Sequence, residues 1–341
     1  MNLVDPRFRD FALVQEMLQT PDVLRRFDIS SAAATAGEID AIGRLFLTGE
    51  GSSRIFPAKN LMYDAMRLGS RWSIATDGAR QAHEYDLSDF AVFGASNSGK
   101  TKELISLFTR LAERGHQARY GLTATENSVL VGVSRRCHTL LCGPEQAVAA
   151  TKSVVEQAVF YRSLLCPFEK GTSPLVAHQT QAADMAAEVL QSDLDPAMVR
   201  AIAAAPIVYF AGRNNGVAEE LALKTNEITH KKSDFLEGTY AVHGIEEVMN
   251  PNEVVIVVDP FPEEAAKFRQ VLVDGVGMTV LAVASEETVF PTIRIPRVAG
   301  YDAVLQLLAG WNVLVHVGVS LGIDLDKAQR ARKIGNEFLG G

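Results

Sequence analysis

Residues 94–101, GASNSGKT, have the glycine, lysine and hydroxyl spacing of a phosphate-binding loop. A buried strand is predicted immediately before this loop, over residues 89–95, and an amphipathic helix immediately after it, over residues 100–113. A polar, glycine-containing turn between a strand and a helix directs backbone N–H groups and the positive end of the helix dipole at an anion. The segment therefore predicts a site for a phosphate-like anion.

Two classes of phosphate binder fit this pattern. A nucleotide triphosphatase would also need a carboxylate for Mg²⁺ at the end of another hydrophobic strand, and Asp259, after 254–258, is a candidate. The loop itself favours a small terminal phosphate, because side chains that can hydrogen-bond such a group follow one another closely in it: Ser96, Asn97, Ser98 and Thr101.

Composition limits the possible partners. The 341 residues are 47% hydrophobic and 22% charged, which predicts a soluble globular protein long enough for two domains. A net charge of -8 and the lack of a basic run argue against nucleic acid, so an anionic substrate must be held by local groups.

The cellular setting is predicted from three features. The first ten residues, MNLVDPRFRD, lack the apolar core of a signal peptide. The apolar stretch 305–321 is interrupted by polar residues, which predicts a buried helix and no membrane span. The 3 cysteines lack metal-site spacing and cannot all pair, so a cytoplasmic protein without a metal centre is expected.

Strand and helix patterns alternate along the chain and predict an α/β fold with mostly parallel, doubly wound sheets. The boundary-like segment 166–175, CPFEKGTSPL, divides an N-terminal domain (1–170) from a C-terminal domain (171–341). Each half opens with a strand, a glycine-containing turn and a helix, which predicts a duplicated unit. The second half has Asp259-Pro260-Phe261-Pro262 in place of the hydroxyl loop, so one anion site per chain is expected. Predicted strands lie at 44–48, 72–76, 89–95, 118–123, 139–142, 207–211, 254–258, 278–284 and 292–295, and predicted helices at 58–67, 100–113, 126–135, 148–165, 176–192, 216–229, 263–273 and 304–321.

Several segments, in order and at the expected spacing, resemble one family. These are GEGSS at 49–53, SNSGKT at 96–101, GPEQAVAATKSVVEQ at 143–157, ELALKTNEI at 220–228 and DLDKAQRARK at 324–333. The chain is similar, from about Gln15 to Lys333, to tandem sugar isomerase (SIS) domain proteins, in particular the isomerase half of glucosamine-6-phosphate synthases. The resemblance implies two tandem flavodoxin-like SIS domains with three α/β/α layers.

The resemblance also implies roles for individual residues. Glu227 corresponds to the base that moves a proton between C2 and C1 of an open-chain sugar, and His243 to the histidine that assists ring opening. Lys224 and Lys333 correspond to cationic groups near the substrate oxygens. The phosphate-binding side chains would be Ser53, Ser96, Asn97, Ser98 and Thr101, and the sugar-binding residues Gly51, Ser52, Val148 and Ala149.

Each of these assignments has a structural alternative. The carboxylate of Glu227 could pair with Lys224 at i,i+3 on a helix surface. Ser98 could cap the following helix, and Lys333 could interact with a helix dipole. In the family, the histidine comes from a neighbouring subunit, which implies a homodimer with shared sites. The sequence departs from the family pattern at Tyr240 and Ile245, where Glu and Pro are common.

The expected function is aldose–ketose isomerisation of a sugar phosphate, or isomerisation and deamination of an amino-sugar phosphate, with no cofactor. Alternatives are a fructosamine-6-phosphate deglycase, an isomerase of a sulfonated sugar and a non-catalytic protein that senses a sugar phosphate. A sensor would be expected to carry a basic DNA-binding domain, and the predicted catalytic residues favour an enzyme. The family's glutamine-hydrolysing domain has no counterpart in this sequence.

Overall fold

The computed structural model describes residues 1–330, 337 and 338. The chain folds into two compact units. The first comprises Met1–Pro21, Gln146–Ala149 and His178–Ala328, and the second Asp22–Glu145, Ala150–Ala177 and Gln329–Gly341, of which 329–330 and 337–338 are described. In this division Met1–Pro21 groups with the C-terminal half of the chain.

The second unit contains a parallel five-stranded sheet with the order β2-β1-β3-β4-β5. Every residue of β3 is buried, as expected for a parallel strand that is covered on both faces. The strands are β1 (Arg44–Gly49), β2 (Ser73–Gly78), β3 (Ala91–Ala95), β4 (Arg119–Thr123) and β5 (Arg136–Thr139).

The first unit contains a parallel five-stranded sheet with the order β10-β9-β8-β6-β7. Read from the opposite edge, this order is the same as that of the other sheet, and β8 is likewise entirely buried. The predicted α/β class with parallel sheets is confirmed. The strands are β6 (Ile207–Gly212), β7 (Lys232–Glu237), β8 (Val254–Val258), β9 (Thr279–Ala284) and β10 (Thr292–Arg294).

Helices connect these strands. The α-helices are α1 (Ala12–Met17), α2 (Thr20–Arg26), α3 (Ala33–Ile42), α4 (Ile55–Arg67), α5 (Ala79–Ala82), α6 (Lys102–Glu113), α7 (Val129–Val133), α8 (Lys152–Ser163), α9 (Pro174–Ala177), α10 (Gln179–Gln191), α11 (Pro196–Ala204), α12 (Val217–Thr229), α13 (Ala265–Phe268) and α14 (Asp302–Ser320). Short 3₁₀ helices occur at Ile29–Ala32, Gly51–Ser53, Cys166–Phe168, Tyr240–Val242, Ile245–Val248 and Pro262–Glu264, and a π-helix at Arg269–Val276.

The longest of these helices, α14, is apolar enough to cross a membrane by length and composition. However, 78% of its apolar window is buried inside the protein, and it packs against α10, α11 and α12. It therefore has the character of a core helix, as the sequence predicts.

Several predicted elements differ from the observed ones. The helix predicted at 126–135 is only α7 (Val129–Val133), and the helix predicted at 263–273 is replaced by α13 and the π-helix Arg269–Val276. The strand predicted at 139–142 is instead β5, at Arg136–Thr139, because β4 pairs with these residues in parallel register. The Leu140 N–H still donates to the Thr123 carbonyl of β4 at 2.7 Å, whereas the N–H groups of Leu141 and Cys142 donate to the carboxylate of Glu156 at 2.8 and 2.7 Å. The helix predicted from residue 148 begins only at Lys152.

Candidate active site

In the sheet of the second unit, the chain connections reverse direction between the neighbouring strands β1 and β3. From β1 the chain continues to β2 on one side, whereas β3, β4 and β5 follow on the other. In open α/β sheets such a switch point leaves a crevice outside the carboxyl ends of the strands, where ligands bind. Residues 51–53 follow β1 and residues 96–101 follow β3, so the two predicted ligand loops emerge at this switch point.

The hydroxyl loop after β3 is a compact turn. The hydroxyl groups of Ser96 and Thr101 lie 2.8 Å apart, and the Gly99 N–H donates to the Ser96 carbonyl at 3.0 Å. Gly99 has a φ of +63°, which favours glycine, and a Cβ there would lie 2.1 Å from the Ser128 hydroxyl. The turn therefore brings two of the predicted phosphate-binding hydroxyls together.

Helix α6 begins directly after this turn, and its N-terminus carries no side-chain cap. Thr101 occupies the N-cap position without a side-chain hydrogen bond to the helix. The Ser98 hydroxyl accepts from the Lys100 N–H at 3.2 Å, so Ser98 closes the turn and does not cap the helix. Helix N–H groups and the helix dipole are therefore available for an anion, beside the loop hydroxyls.

The loop after β1 forms the 3₁₀ helix Gly51–Ser53. Ser52 is buried, and the Ser53 hydroxyl accepts from Nε2 of Gln157 at 3.5 Å. Gln157 is fully buried in α8, and its Oε1 has no hydrogen bond among the described residues. Next to this loop, burial raises the pKa of Glu50, and the charge of Glu103 raises it further.

A residue that the sequence analysis did not select, Glu145, ties the hydroxyl loop to the start of α8. Its buried carboxylate accepts from Nδ2 of Asn97 at 3.0 Å and from the Thr151 N–H and hydroxyl at 2.6 and 2.8 Å. The Ser153 hydroxyl also donates to it. Asn97 is thus oriented by a carboxylate, which makes Glu145 a positioning residue for the loop. The sequence gives only a weak indication of this role, namely an acidic residue within a segment of small residues.

Replacing Glu145 with glutamine should lower the free energy of unfolding by about 1–3 kcal/mol. The glutamine NH₂ group would face the buried hydrogen-bond donors that the carboxylate now accepts from. The same change should weaken binding of inorganic phosphate, since Asn97 loses its fixed orientation. Thermal unfolding and equilibrium dialysis measure the two effects. Glu126→Gln, an exposed acid of the same unit, is the matched control. Unchanged phosphate binding in Glu145→Gln would remove Glu145 from the site.

In the first unit, Lys224 and Glu227 form a close pair on α12. The Lys224 ammonium donates to Glu227 Oε2 at 2.7 Å, and Glu220 Oε1 lies 3.4 Å from the same ammonium. The side chains of Lys224 and Glu220 are 0% exposed, whereas that of Glu227 is 30% exposed. The i,i+3 pair predicted as the structural alternative does form, but its lysine is not on the surface.

The environment of this pair suits a proton-transfer group. A buried ammonium is costly unless carboxylates compensate it, so Glu220 and Glu227 together hold Lys224 in place. The exposed fraction of Glu227 leaves its carboxylate open to a small ligand. Glu220, one helical turn before Lys224, was not selected from the sequence because its burial is not visible there.

His243 lies on an exposed turn after the 3₁₀ helix Tyr240–Val242. Its Nε2 is 3.4 Å from the ammonium of Lys267, which can donate to it in the neutral imidazole. Among the described residues, His243 makes no hydrogen bond to Lys224 or Glu227. The structure therefore does not bring the predicted histidine to the predicted base within one chain.

The remaining predicted residues occupy two places. Val148 is half-buried and Ala149 buried in the segment Gln146–Ala149, whose first N–H groups, of Gln146 and Ala147, donate to the Glu16 carboxylate. Lys333 lies outside the described residues. The predicted phosphate ligands thus belong to the second unit, and Lys224, Glu227 and His243 to the first.

A nucleotide triphosphatase would need the Asp259 carboxylate to be free to bind Mg²⁺. Instead, Asp259 Oδ2 accepts from Arg213 Nε at 2.6 Å, and β8, which precedes it, belongs to a different sheet from the hydroxyl loop. In the part of the chain that the structure describes, no cluster of three or more His, Cys, Asp or Glu residues could hold a metal ion. The three cysteines are free thiols.

Part of the second unit is similar to a known domain, and most of the chain is similar to known proteins. Residues 38–166 match the model of the SIS domain. Over 358 aligned residues the chain is 24% identical to the isomerizing glutamine–fructose-6-phosphate aminotransferase of Leifsonia xyli subsp. xyli, covering 94% of this chain. The chain spans 58% of the length of that relative.

Solved structures share the fold at low sequence identity. The tagatose-6-phosphate ketose/aldose isomerase of Escherichia coli gives a TM-score of 0.75 at 18% identity, covering 95% of this chain and 97% of that one. The glucosamine-6-phosphate deaminase of Thermotoga maritima gives 0.74 at 20% identity, covering 94% and 98%. The shared fold thus extends over both units, whereas the SIS-domain model matches mainly the second.

Proposed function

We propose that this chain is an enzyme that transfers a proton between C2 and C1 of an open-chain sugar phosphate, as an isomerase or an amino-sugar-phosphate isomerase/deaminase. The observation that carries the proposal is the Lys224–Glu227 pair, in which a fully buried ammonium holds a partly exposed carboxylate at 2.7 Å. The Leifsonia relative and the two solved structures are named for such sugar phosphates, which supports the substrate class.

Glu227 is the proposed base. Its carboxylate removes the proton from C2 of an aldose, the C2–H electrons form the C1–C2 double bond, and the C1 carbonyl electrons move onto O1 to give an enediolate. A proton is then delivered to C1, and the O2 hydroxyl proton passes to O1, which leaves the C2 carbonyl of the ketose. The Lys224 ammonium orients the carboxylate through a charge-assisted hydrogen bond and places positive charge beside the developing enediolate oxygen. This proton transfer needs no nicotinamide or nucleotide.

The hydroxyl loop is the proposed phosphate site. Ser96, Ser98 and Thr101 would donate hydrogen bonds to phosphate oxygens, with Ser53 from the neighbouring loop and the N–H groups at the start of α6. Asn97 and Glu145 keep the loop in this shape. Because the chain's net charge is -8, this local arrangement must supply the attraction for the anionic substrate.

We also propose a homodimer in which His243 serves the substrate bound by a second copy of the chain. The support is that His243 is exposed and contacts Lys267, without a hydrogen bond to Glu227 among the described residues. In this proposal, His243 assists ring opening, and Lys333 acts as a further cationic group. Two tandem SIS domains remain part of the proposal, with support from the common strand order of the two sheets.

A substrate panel tests the proposal. Purified protein is incubated with aldose, ketose and amino-sugar 6-phosphates and with the same sugars lacking phosphate, and products and free ammonia are quantified. Conversion of a phosphorylated member, with loss of turnover when phosphate is absent, is expected. Ammonia release separates a deaminase from an isomerase. Equal turnover of phosphorylated and unphosphorylated sugars would contradict the role of the hydroxyl loop.

A further inference from the structure

The sheet of the first unit has its own switch point, between β6 and β8. The chain passes from β6 to β7 on one side, and β8, β9 and β10 follow on the other, as β1 and β3 divide the connections in the second unit. Ligand crevices form at such points because the adjacent connections leave in opposite directions. The β6–β8 switch point is therefore the topological counterpart of the proposed phosphate site.

The two switch points are built alike at the backbone. A Cβ on Gly49, the last residue of β1, would lie 2.7 Å from the carbonyl oxygen of Ala95 at the end of β3. A Cβ on Gly212, the last residue of β6, would lie 2.1 Å from the carbonyl oxygen of Val258 at the end of β8. Both pairs of strands therefore require glycine at the same place, where the chain leaves the sheet.

The residues immediately after the strands differ between the two sheets. Arg213 comes directly after Gly212, and its Nε donates to Asp259 Oδ2 at 2.6 Å. The Arg213 guanidinium also lies over the ring of Phe261, 4.2 Å from its centroid. Asp259 directly follows β8, where Ser96 follows β3 in the other sheet. A carboxylate thus stands at the start of the loop that corresponds to the proposed phosphate loop.

This arrangement is separate from the Lys224–Glu227 pair. Helix α12 begins at Val217, four residues after Arg213, and Glu227 lies ten residues further along it. At 1.5 Å per residue, Glu227 is about 15 Å along the helix axis from the end that adjoins the switch point. Arg213 and Asp259 are therefore not part of the proposed proton-transfer site.

We propose that the β6–β8 switch point is a second anion site, selective for small tetrahedral oxyanions such as phosphate and phosphate monoesters, which the chain closes with its own Asp259 carboxylate. An Arg guanidinium presents N–H donors that suit a phosphate as well as a carboxylate. The side chains of Arg213 and Asp259 are 25% and 31% exposed, so solutes can reach the pair. The inference uses the proposed function only in taking the first switch point as an anion site.

The test counts inorganic phosphate bound per chain by equilibrium dialysis. Asp259→Gly removes the carboxylate, and glycine readily adopts the φ of +48° found at this position. Asparagine also adopts a positive φ and removes the negative charge, so Asp259→Asn is a second variant if the first does not fold. The double variant Asp259→Gly/Arg213→Gln removes the guanidinium as well, and Asp274→Asn neutralises an exposed acid elsewhere in the same unit.

The expected result is one phosphate per wild-type chain, two per Asp259→Gly chain, and one again in the double variant and in Asp274→Asn. The second phosphate should bind to Asp259→Gly at least ten-fold more tightly than any second phosphate binds to the wild type. A count no higher than that of the wild type, in whichever of Asp259→Gly and Asp259→Asn folds, would overturn the inference, as would two in the wild type. A count of zero in the wild type and one in Asp259→Gly would support it while contradicting the proposed phosphate loop.

Discussion

Replacing Glu227 with glutamine is expected to lower kcat about 100- to 10,000-fold, the range contributed by a general base. Glutamine keeps the size of the side chain, and its Oε1 can still accept from the Lys224 ammonium, so the helix and substrate binding should be retained. The loss therefore reports the missing proton acceptor. Turnover of the best substrate from the panel, with its binding measured separately by calorimetry, distinguishes the two effects.

The matched control is Glu219→Gln, a half-buried glutamate in the first turn of the same helix. It removes the same charge at the end of α12 away from Lys224 and should leave kcat within about two-fold. A normal kcat in Glu227→Gln would remove Glu227 as the base. A loss of binding together with kcat would assign the residue to substrate binding instead.

Replacing Lys224 with methionine should lower the free energy of unfolding by about 3–5 kcal/mol. The change removes the ammonium from a fully buried position and leaves the Glu220 carboxylate without the positive charge it faces at 3.4 Å. For a domain of this size the midpoint of thermal unfolding should fall by roughly 6–20 °C. Calorimetry of wild type and variant measures the shift.

Two further variants make this prediction specific to the buried charge. Replacing both Lys224 and Glu220 with methionine should recover most of the loss, because the buried ammonium and the carboxylate that faces it are then replaced together by an apolar pair of similar volume. Lys327→Met removes a lysine that is 82% exposed and paired with Asp324, and should cost at most about 1 kcal/mol. A loss in Lys224→Met no larger than that in Lys327→Met would contradict the account of the buried triad.

Local features of the site could be predicted because they depend on short segments. The strand, turn and helix around Ser96–Thr101 follow from residues adjacent in sequence, and Lys224 and Glu227 share a helix surface by spacing alone. The structure confirms the pairing of these two residues. It also shows a difference that spacing does not reveal, namely that the lysine is buried while the glutamate is partly exposed.

The supporting residues could not be predicted because their partners are distant in sequence or their burial is set by the tertiary fold. Glu145 contacts Asn97, 48 positions earlier, and Arg213 contacts Asp259, 46 positions later. The strand β7 was not predicted because its sequence, KSDFLE, is largely polar, as an edge strand can be. Hydrogen bonding to β6 in parallel register stabilises β7 as a strand, although its composition does not favour one.

The most direct test of the central claim is proton exchange with solvent. Wild-type protein and Glu227→Gln are incubated in D₂O with the sugar phosphates of the panel, and deuterium at C1 or C2 is located by NMR. The account predicts that the wild type introduces deuterium at one of these carbons and that Glu227→Gln slows this by at least about 100-fold. Exchange at equal rates in both proteins, or no exchange by the wild type with any member, would contradict it.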